Sequence, residues 1–415
     1  MCRQSRILFR RRAEHTVDNN VGFNLVTFAM EKLLGTSATS HYDDGQNLAI
    51  LARRIPIDMR TNTSAALMLT NRQLAQHMRV LYAVTDDNET LITGSPSEPI
   101  VSEGAKTAMS HTGFDVVNAL GGILKSPGIS VGERGEMMAE LLLILASDAA
   151  TVEAKGKFSI PTFFEHLLTD SSWNVLKGTS ASRGAKEFHA GTFQHTFKNS
   201  YGNFNHIIKV HNNVLESKSW YRHLSRRAGI SARFGERGID GAFPITINGT
   251  KIAPDNISCL VFQIKAVEAM QRPSKLVFDK MDDPVLGTDD SDDTDSTSAK
   301  PVIRLVFSLR SHEKDVIVMK YTDDYDNELL TWDIFVLFSS LRAVKKNPKA
   351  WQTVLDMASS EGKMYGSNVT LMGMDPGAGI GDNFWPNWVT TGKKTTEDGS
   401  EAKAKASSKG KGRAK

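Results

Sequence analysis

The sequence contains little cysteine, little net charge and no long apolar run. Its 415 residues include two cysteines, Cys2 and Cys259, which exclude a disulfide framework and a cysteine-rich metal site. So low a cysteine content is typical of a protein in a reducing compartment, and we therefore expect an intracellular location. The formal net charge of +3 is too small to indicate a partner. Because no window of about 18 residues is continuously apolar, we expect no membrane span.

An ATP-binding loop and a solenoid repeat are also absent from the sequence. The segment nearest to the P-loop pattern, GTSASRGAK at residues 178–186, has the wrong spacing and lacks the final Ser or Thr. The composition that remains is ordinary for a globular protein, with 40% hydrophobic and 23% charged residues. A chain of this length can bury a sizeable core and form two domains.

The first half of the chain has helical periodicity. The clearest helix covers residues 131–149, whose broad apolar stripe predicts burial between other helices. Further helices are predicted over residues 21–35, 64–83, 100–110, 113–124 and 160–176. Because no convincing strand precedes residue 200, we predict a helical domain at 21–195. The polar residues 1–20 before it are predicted to be a disordered lead-in.

Strand character begins after residue 200. A helix is predicted over residues 204–224, followed by strands over 230–234, 239–247 and 258–265, separated by glycine-containing turns. Strands return at 302–309 and 315–320, and a helix is predicted over 329–341. The fold class is therefore α+β, with an N-terminal all-α region followed by an α/β core with a mixed sheet at residues 200–345.

Two charged segments lie within and after this core. Seven aspartates between residues 282 and 295 predict an acidic, disordered loop between strands. A C-terminal extension covers 346–392, and a basic disordered tail covers 393–415. The tail either binds nucleic acid without sequence preference, acts as a nuclear signal, or only aids solubility.

Three polar residues on two predicted strands form the candidate site. Asp240 lies at the start of one strand, and Gln263 and Lys265 lie two apart on the next, so those two side chains share a face. An amide and a lysine inside an otherwise apolar strand are costly to bury unless they are paired. That cost indicates either a site or a buried Lys–Asp pair.

The chemistry of these groups suits phosphodiester hydrolysis. The Asp240 carboxylate, the Gln263 amide oxygen and the Ile264 carbonyl oxygen are ligands of the type that Mg²⁺ or Mn²⁺ prefers. The metal would polarise a phosphate and lower the pKa of a bound water. Lys265 would orient that water and stabilise negative charge on the phosphate.

The segments GIDGAF and LVFQIKA resemble the PD-(D/E)XK nuclease superfamily, in particular the Mrr-like enzymes that carry Gln in the (D/E/Q)-x-K motif. The resemblance implies a restriction-endonuclease-like fold for residues 200–345. It also places the metal-binding and catalytic positions of the family on Asp240, Gln263 and Lys265. Some relatives use an additional acid from the preceding helix, and here that acid would be Glu216.

A wider resemblance covers most of residues 20–345. The order FNHII, GIDGAFPI, LVFQIKA is similar to a set of basidiomycete fungal proteins that resemble the nuclease-like modules of crinkler-type, mobile-element-associated proteins. The resemblance implies a Mg²⁺-dependent endonuclease-like protein that acts on or binds DNA. The alternative is a catalytically inactive descendant that serves as a nucleic-acid-binding or protein-interaction module.

Four arginines lie before or within the first predicted strand of the core. Arg222, Arg226, Arg227 and Arg233 either contact the phosphates of a nucleic acid or form a solvated basic helix face.

Overall fold

The computed structural model describes residues 24–37, 41–59, 61, 63–85, 91–125, 134–151, 157–183, 191–210, 217–232, 238–253, 256–265, 272–281, 300–310, 315–320 and 330–359. The predicted lead-in at 1–20, the acidic loop at 282–295 and the basic tail at 393–415 lie outside these described residues, as does the extension beyond residue 359.

The described residues form thirteen helices. Their bounds are α1 Leu25–Leu34, α2 Asp44–Ala52, α3 Ser64–Gln76, α4 Pro99–Met109, α5 Val116–Leu124, α6 Arg134–Thr151, α7 Ile160–Leu167, α8 Asp170–Lys177, α9 Phe193–Phe197, α10 Ser217–Arg226, α11 Lys275–Asp279, α12 Arg342–Lys346 and α13 Pro348–Ser359. Side-chain N-caps explain where several of these helices begin. Asp43 and Gln46, for example, form a reciprocal capping box at α2.

Eleven strands form a small hairpin and one large sheet. Their bounds are β1 Val80–Val84, β2 Leu91–Gly94, β3 Phe158–Ser159, β4 Tyr201–Gly202, β5 His206–Lys209, β6 Ala228–Ser231, β7 Gly241–Thr246, β8 Ile257–Lys265, β9 Pro301–Ser308, β10 Ile317–Val318 and β11 Leu330–Leu337. Strands β1 and β2 pair as the hairpin. The large sheet has the order β10-β11-β9-β8-β7-β4-β3, and β6 joins β7 while carrying β5.

The large sheet is mixed. Strand β8 is antiparallel to β7 and parallel to β9, and β9 is parallel to β11. The buried residues of β8 alternate between two cores, because successive side chains of a strand point to opposite faces. Leu260 and Phe262 join the larger core with the helices α6 and α7, whereas Cys259 and Val261 join a smaller core beneath α10 and α11.

The prediction of an α+β fold with a mixed sheet is confirmed. The described residues form one compact unit, and its larger core runs from Ala29 in α1 to Ala358 in α13. Helical residues before position 195 and sheet residues after position 200 thus share one apolar core. None of the described helices combines the length and hydropathy that a bilayer span requires.

Three predicted helices are wrong in part. The helix predicted over 64–83 ends at Gln76, and Met78 with a φ of 58° leads into β1, so the first half does contain a hairpin. The helix predicted over 204–224 is β5 followed, after an undescribed segment, by α10. The helix predicted over 329–341 is mainly β11, whose eight residues are all buried.

The error at β11 has a clear physical cause, which does not apply to β1, whose residues are exposed. A strand that is buried on both faces is apolar throughout, so its sequence carries no period-2 signal and cannot be told from a buried helix. Pairing decides the outcome. Strand β11 aligns with β9 over eight residues, and β5 aligns with β6 over four.

Candidate functional site

Asp240 lies immediately before β7, at the point where β8 runs past the end of its neighbour. Gly241 is aligned with Phe262, so Gln263, Ile264 and Lys265 extend beyond the start of β7. The Asp240 N–H donates to the Phe262 carbonyl at 2.9 Å. Only glycine fits at position 241, since a Cβ there would lie 2.2 Å from the Phe262 ring and 2.5 Å from the Ile230 oxygen.

The Asp240 carboxylate accepts a hydrogen bond from the backbone of Ile264, which lies between Gln263 and Lys265. The Ile264 N–H donates to Asp240 Oδ2 at 2.5 Å. The Lys265 carbonyl accepts from Leu309 N at 3.1 Å on the β9 side. Because successive carbonyls of a strand point to opposite sides, the Ile264 carbonyl is directed away from β9, toward the Asp240 side. The predicted metal ligands Asp240 and Ile264 therefore lie together.

Gln263 and Lys265 share the face of β8 that carries Val261. In β9 their neighbours are Val306 and Ser308. Both side chains are half-buried, as is Asp240. Burial raises the pKa of Asp240, and the Ile264 N–H and the positive charge of Lys265 offset only part of that effect. The Lys265 ammonium therefore acts electrostatically on the Asp240 carboxylate.

A buried acid near Asp240 was missed by the sequence analysis. Glu140 of α6 is 1% exposed, and its Oε1 has no hydrogen-bond partner among the described residues. Burial holds the pKa of Glu140 well above its usual value. The Ser231 hydrogen bond and the Lys209 charge lower it, and the charges of Glu136 and Asp240 raise it. The available signal was a glutamate inside the apolar stripe of α6.

Replacing Glu140 with glutamine is expected to make stability less dependent on pH. Because the folded protein holds the Glu140 proton more tightly than the unfolded chain, wild-type stability falls as pH rises from the unfolded pKa toward the raised folded pKa. The loss is at most about 1.4 kcal/mol per pH unit. Glu140→Gln lacks this titration, so its advantage over wild type should grow with pH.

Urea unfolding of both proteins between pH 4 and pH 8 measures this difference. Glu165→Gln, which changes an exposed acid on α7, is the control and should follow wild type at each pH. A Glu140→Gln curve parallel to the wild-type curve would contradict the assignment of Glu140 as a buried, proton-retaining acid.

Two of the predicted phosphate-contacting arginines, Arg226 and Arg227, lie away from Asp240. Strands β5 and β6 are parallel, so α10 returns the chain from the end of β5, near Asp240, to the start of β6. Arg226 and Arg227 follow that return and lie at the opposite end of β6 from Asp240. Arg227 pairs with Glu103 at 3.0 Å.

For the other predicted residues the structure gives exposure on α10 or no description. Arg222 and Arg226 are exposed on α10. Arg233 and Glu216 lie outside the described residues, so the predictions for them stay predictions.

The donor set at the site is made of oxygens and has a single carboxylate. Among the described residues, no group of three or more His, Cys, Asp or Glu side chains is arranged to hold a metal ion. The carboxylate of Asp240, the carbonyl of Ile264 and the amide of Gln263 fit a hard cation such as Mg²⁺ or Mn²⁺, which binds through few protein oxygens and retains waters. The chemistry that this set can support is activation of water beside a phosphate.

A Ser–His–Asn chain of hydrogen bonds occurs elsewhere in the fold. His206 Nε2 lies 2.8 Å from Ser97 Oγ, and its Nδ1 lies 2.7 Å from Asn205 Oδ1. Burial, together with the charges of Arg54, Arg227, Arg226 and Arg53, lowers the pKa of His206 to about 3. An imidazole that resists protonation to this extent is a poor general base at neutral pH, so we interpret this chain as structural.

Comparisons with known proteins give one match. A family model described as "Domain of unknown function (DUF8736)" matches residues 38–280, a span that includes Glu140, Asp240, Gln263 and Lys265. No curated protein and no solved structure matches the chain.

Proposed function

The chain belongs to the DUF8736 family, and from the chemistry of its site we propose that it is a Mg²⁺-dependent endonuclease-like protein that acts on or binds DNA. The observation that carries this proposal is the Ile264 N–H bond to Asp240 Oδ2. It holds the acid beside the Gln263–Ile264–Lys265 segment, where an amide oxygen, a carbonyl oxygen and an ammonium are available. The order helix, strand, strand, strand in α10, β6, β7 and β8 supports the resemblance to PD-(D/E)XK nucleases.

Each residue has a distinct role in the proposed reaction. Asp240, Gln263 and the Ile264 carbonyl would hold Mg²⁺ or Mn²⁺, which when bound supplies a polarised phosphate and an acidified water. Lys265, half-buried and within electrostatic range of Asp240, orients the attacking water and stabilises charge on the phosphate oxygens. Half-burial of these groups strengthens their electrostatic effect, because the local dielectric is lower than in water.

The second candidate function is an inactive descendant that binds nucleic acid or protein without cleavage. The single carboxylate in the donor set favours it, since one acid attracts a divalent ion less strongly than two. For both candidate functions we propose that the protein originates from fungal mobile elements or effectors and acts inside the cell, in the nucleus. The basic tail at 393–415 supports the nuclear location.

Plasmid cleavage distinguishes the two functions. We expect the full chain to nick plasmid DNA with Mg²⁺ or Mn²⁺, and to lose this activity in EDTA. Asp240→Ala and Lys265→Ala should each lower the rate by about 10²-fold or more, because each removes a group that acts on the reacting phosphate. Lys251→Ala, at an exposed lysine after β7, is the matched control and should retain the wild-type rate.

Two other outcomes are informative. Binding that weakens with salt, without cleavage by any variant, would favour the inactive descendant, and the salt slope would count the phosphate contacts. Cleavage that persists in Asp240→Ala would show that the activity comes from another site or from a contaminant, and the endonuclease proposal would be abandoned.

A further inference from the structure

A cavity of about 580 Å³ lies among α5, α6, α7, α12 and α13, apart from the Asp240 site. Its volume is within the usual range for small-molecule sites in proteins. The walls are mixed, and their apolar part includes Phe114, Leu142, Ala146, Leu341 and Trp351. These five are buried, so they form the inner wall of the cavity.

Apolar surface remains accessible at the cavity. Val116 of α5 and Leu145 of α6 line it and are only half-buried, although both pack against the larger core. An apolar ligand that covers these side chains would remove that surface from water, at about 25 cal/mol per Å².

The polar part of the lining is basic. His166, Arg342 and Lys346 all line the cavity. Arg342 and Lys346 are four residues apart on α12, so they lie on one side of that helix. Arg342 is held in place, because its Nε donates to the Leu168 carbonyl at 3.1 Å and its Nη2 pairs with Asp170 at 2.6 Å.

The one acid in the lining is already engaged. Asp115 Oδ1 accepts from Val117 N at 3.0 Å and Asn118 N at 3.1 Å, and Oδ2 accepts from Asn118 Nδ2 at 2.8 Å. Its carboxylate therefore caps α5 and keeps its negative charge, and none of the described ion pairs joins it to Lys346.

The lining has two cations, Arg342 and Lys346, and one acid, Asp115. Arg342 already pairs with Asp170, so Lys346 is the cation in the lining for which the described residues give no ion pair. A ligand that complements this lining has an apolar body and one anionic group that reaches Lys346.

We propose that this cavity binds an aliphatic carboxylate, with its chain against Val116, Leu145 and Trp351 and its headgroup at Arg342 and Lys346. A guanidinium and an ammonium together favour a carboxylate, which they bind through charge-assisted hydrogen bonds. This binding function is independent of the proposed nuclease activity, because the cavity shares no residue with the Asp240 site.

Calorimetric titration of the full chain with decanoate, below its micelle concentration, tests the proposal. We expect saturable binding at one site. Lys346→Glu should weaken it by about tenfold or more, since the variant places a negative charge at the headgroup. Lys345→Glu makes the same charge change at the preceding exposed residue of α12, which does not line the cavity, and should bind decanoate as wild type does.

Decanol separates the contribution of the headgroup from that of the chain. It offers the same chain without the negative charge and should bind wild type about tenfold or more weakly than decanoate. Absence of saturable decanoate binding would overturn the proposal. Equal affinity for decanol and decanoate, or equal effects of Lys346→Glu and Lys345→Glu, would overturn it as well. Circular dichroism of each variant confirms that the fold is retained.

Discussion

Replacing Asp333 with alanine is expected to lower the free energy of unfolding by about 3–5 kcal/mol. Asp333 of β11 and Arg304 of β9 are both fully buried and form a bidentate pair, with Arg304 Nε and Nη2 each 2.6 Å from a carboxylate oxygen. Arg183 Nε lies 3.8 Å from the same carboxylate. Removing Asp333 would leave a buried guanidinium without its compensating charge, and that desolvation cost is the physical reason for the large effect.

Urea or thermal unfolding measures this loss, and two controls interpret it. Asp170→Ala removes the carboxylate of an exposed ion pair with Arg342 and should cost at most about 1 kcal/mol. The double variant Arg304→Met/Asp333→Leu removes both charges and should be more stable than Asp333→Ala alone. A loss in Asp333→Ala no greater than that in Asp170→Ala would show that the buried pair contributes little.

Gln263→Glu should make the stability of the protein depend strongly on Mg²⁺. A second carboxylate beside Asp240 adds attraction for a divalent ion of at most about 4 kcal/mol per unit charge pair at 4 Å, with an effective dielectric of 20. Without metal the same change brings two acids together in a half-buried site, where burial already raises the pKa of Asp240. We therefore expect the variant to be less stable than wild type in EDTA.

The measurement is the unfolding midpoint of each protein in EDTA and across a Mg²⁺ titration. Preferential binding to the folded state stabilises it by RT ln(1 + [Mg²⁺]/Kd), so the dependence on Mg²⁺ concentration reports the affinity. The gain should disappear when Gln263→Glu is combined with Asp240→Asn, which removes the first carboxylate. A Mg²⁺-dependent shift equal to that of wild type would place position 263 away from any metal.

Strand positions near the candidate site were predictable because the signals there are local. Glycines on both sides of Asp240 and a turn at Asn248–Gly249 delimit β7, and the strand predicted over 258–265 agrees with β8 to within one residue. The alternation of side chains then placed Gln263 and Lys265 on one face. The roles of these residues in catalysis remain predictions.

The arginines near α10 show the limit of such reasoning. Closeness in sequence to the first strand of the core suggested that Arg227 lies near the site, but a helix between two parallel strands carries its last residues to the far end of the sheet. Glu103, more than a hundred positions earlier in the chain, then provides the partner of Arg227. No local pattern contains that contact.

The amino-acid sequence by itself determined the α+β class, the burial of α6, the strand that begins beside Asp240 and the strand that carries Gln263 and Lys265. These features depend on periodicity, glycine and turn chemistry, which act over a few residues. Only the tertiary structure decided that β5 and β11 are strands, that Glu140 lies buried within electrostatic range of Asp240, and that α12 and α13 help to enclose a basic-rimmed cavity. Those outcomes depend on pairing and packing between distant segments, whose free energy is gained only when the whole core assembles.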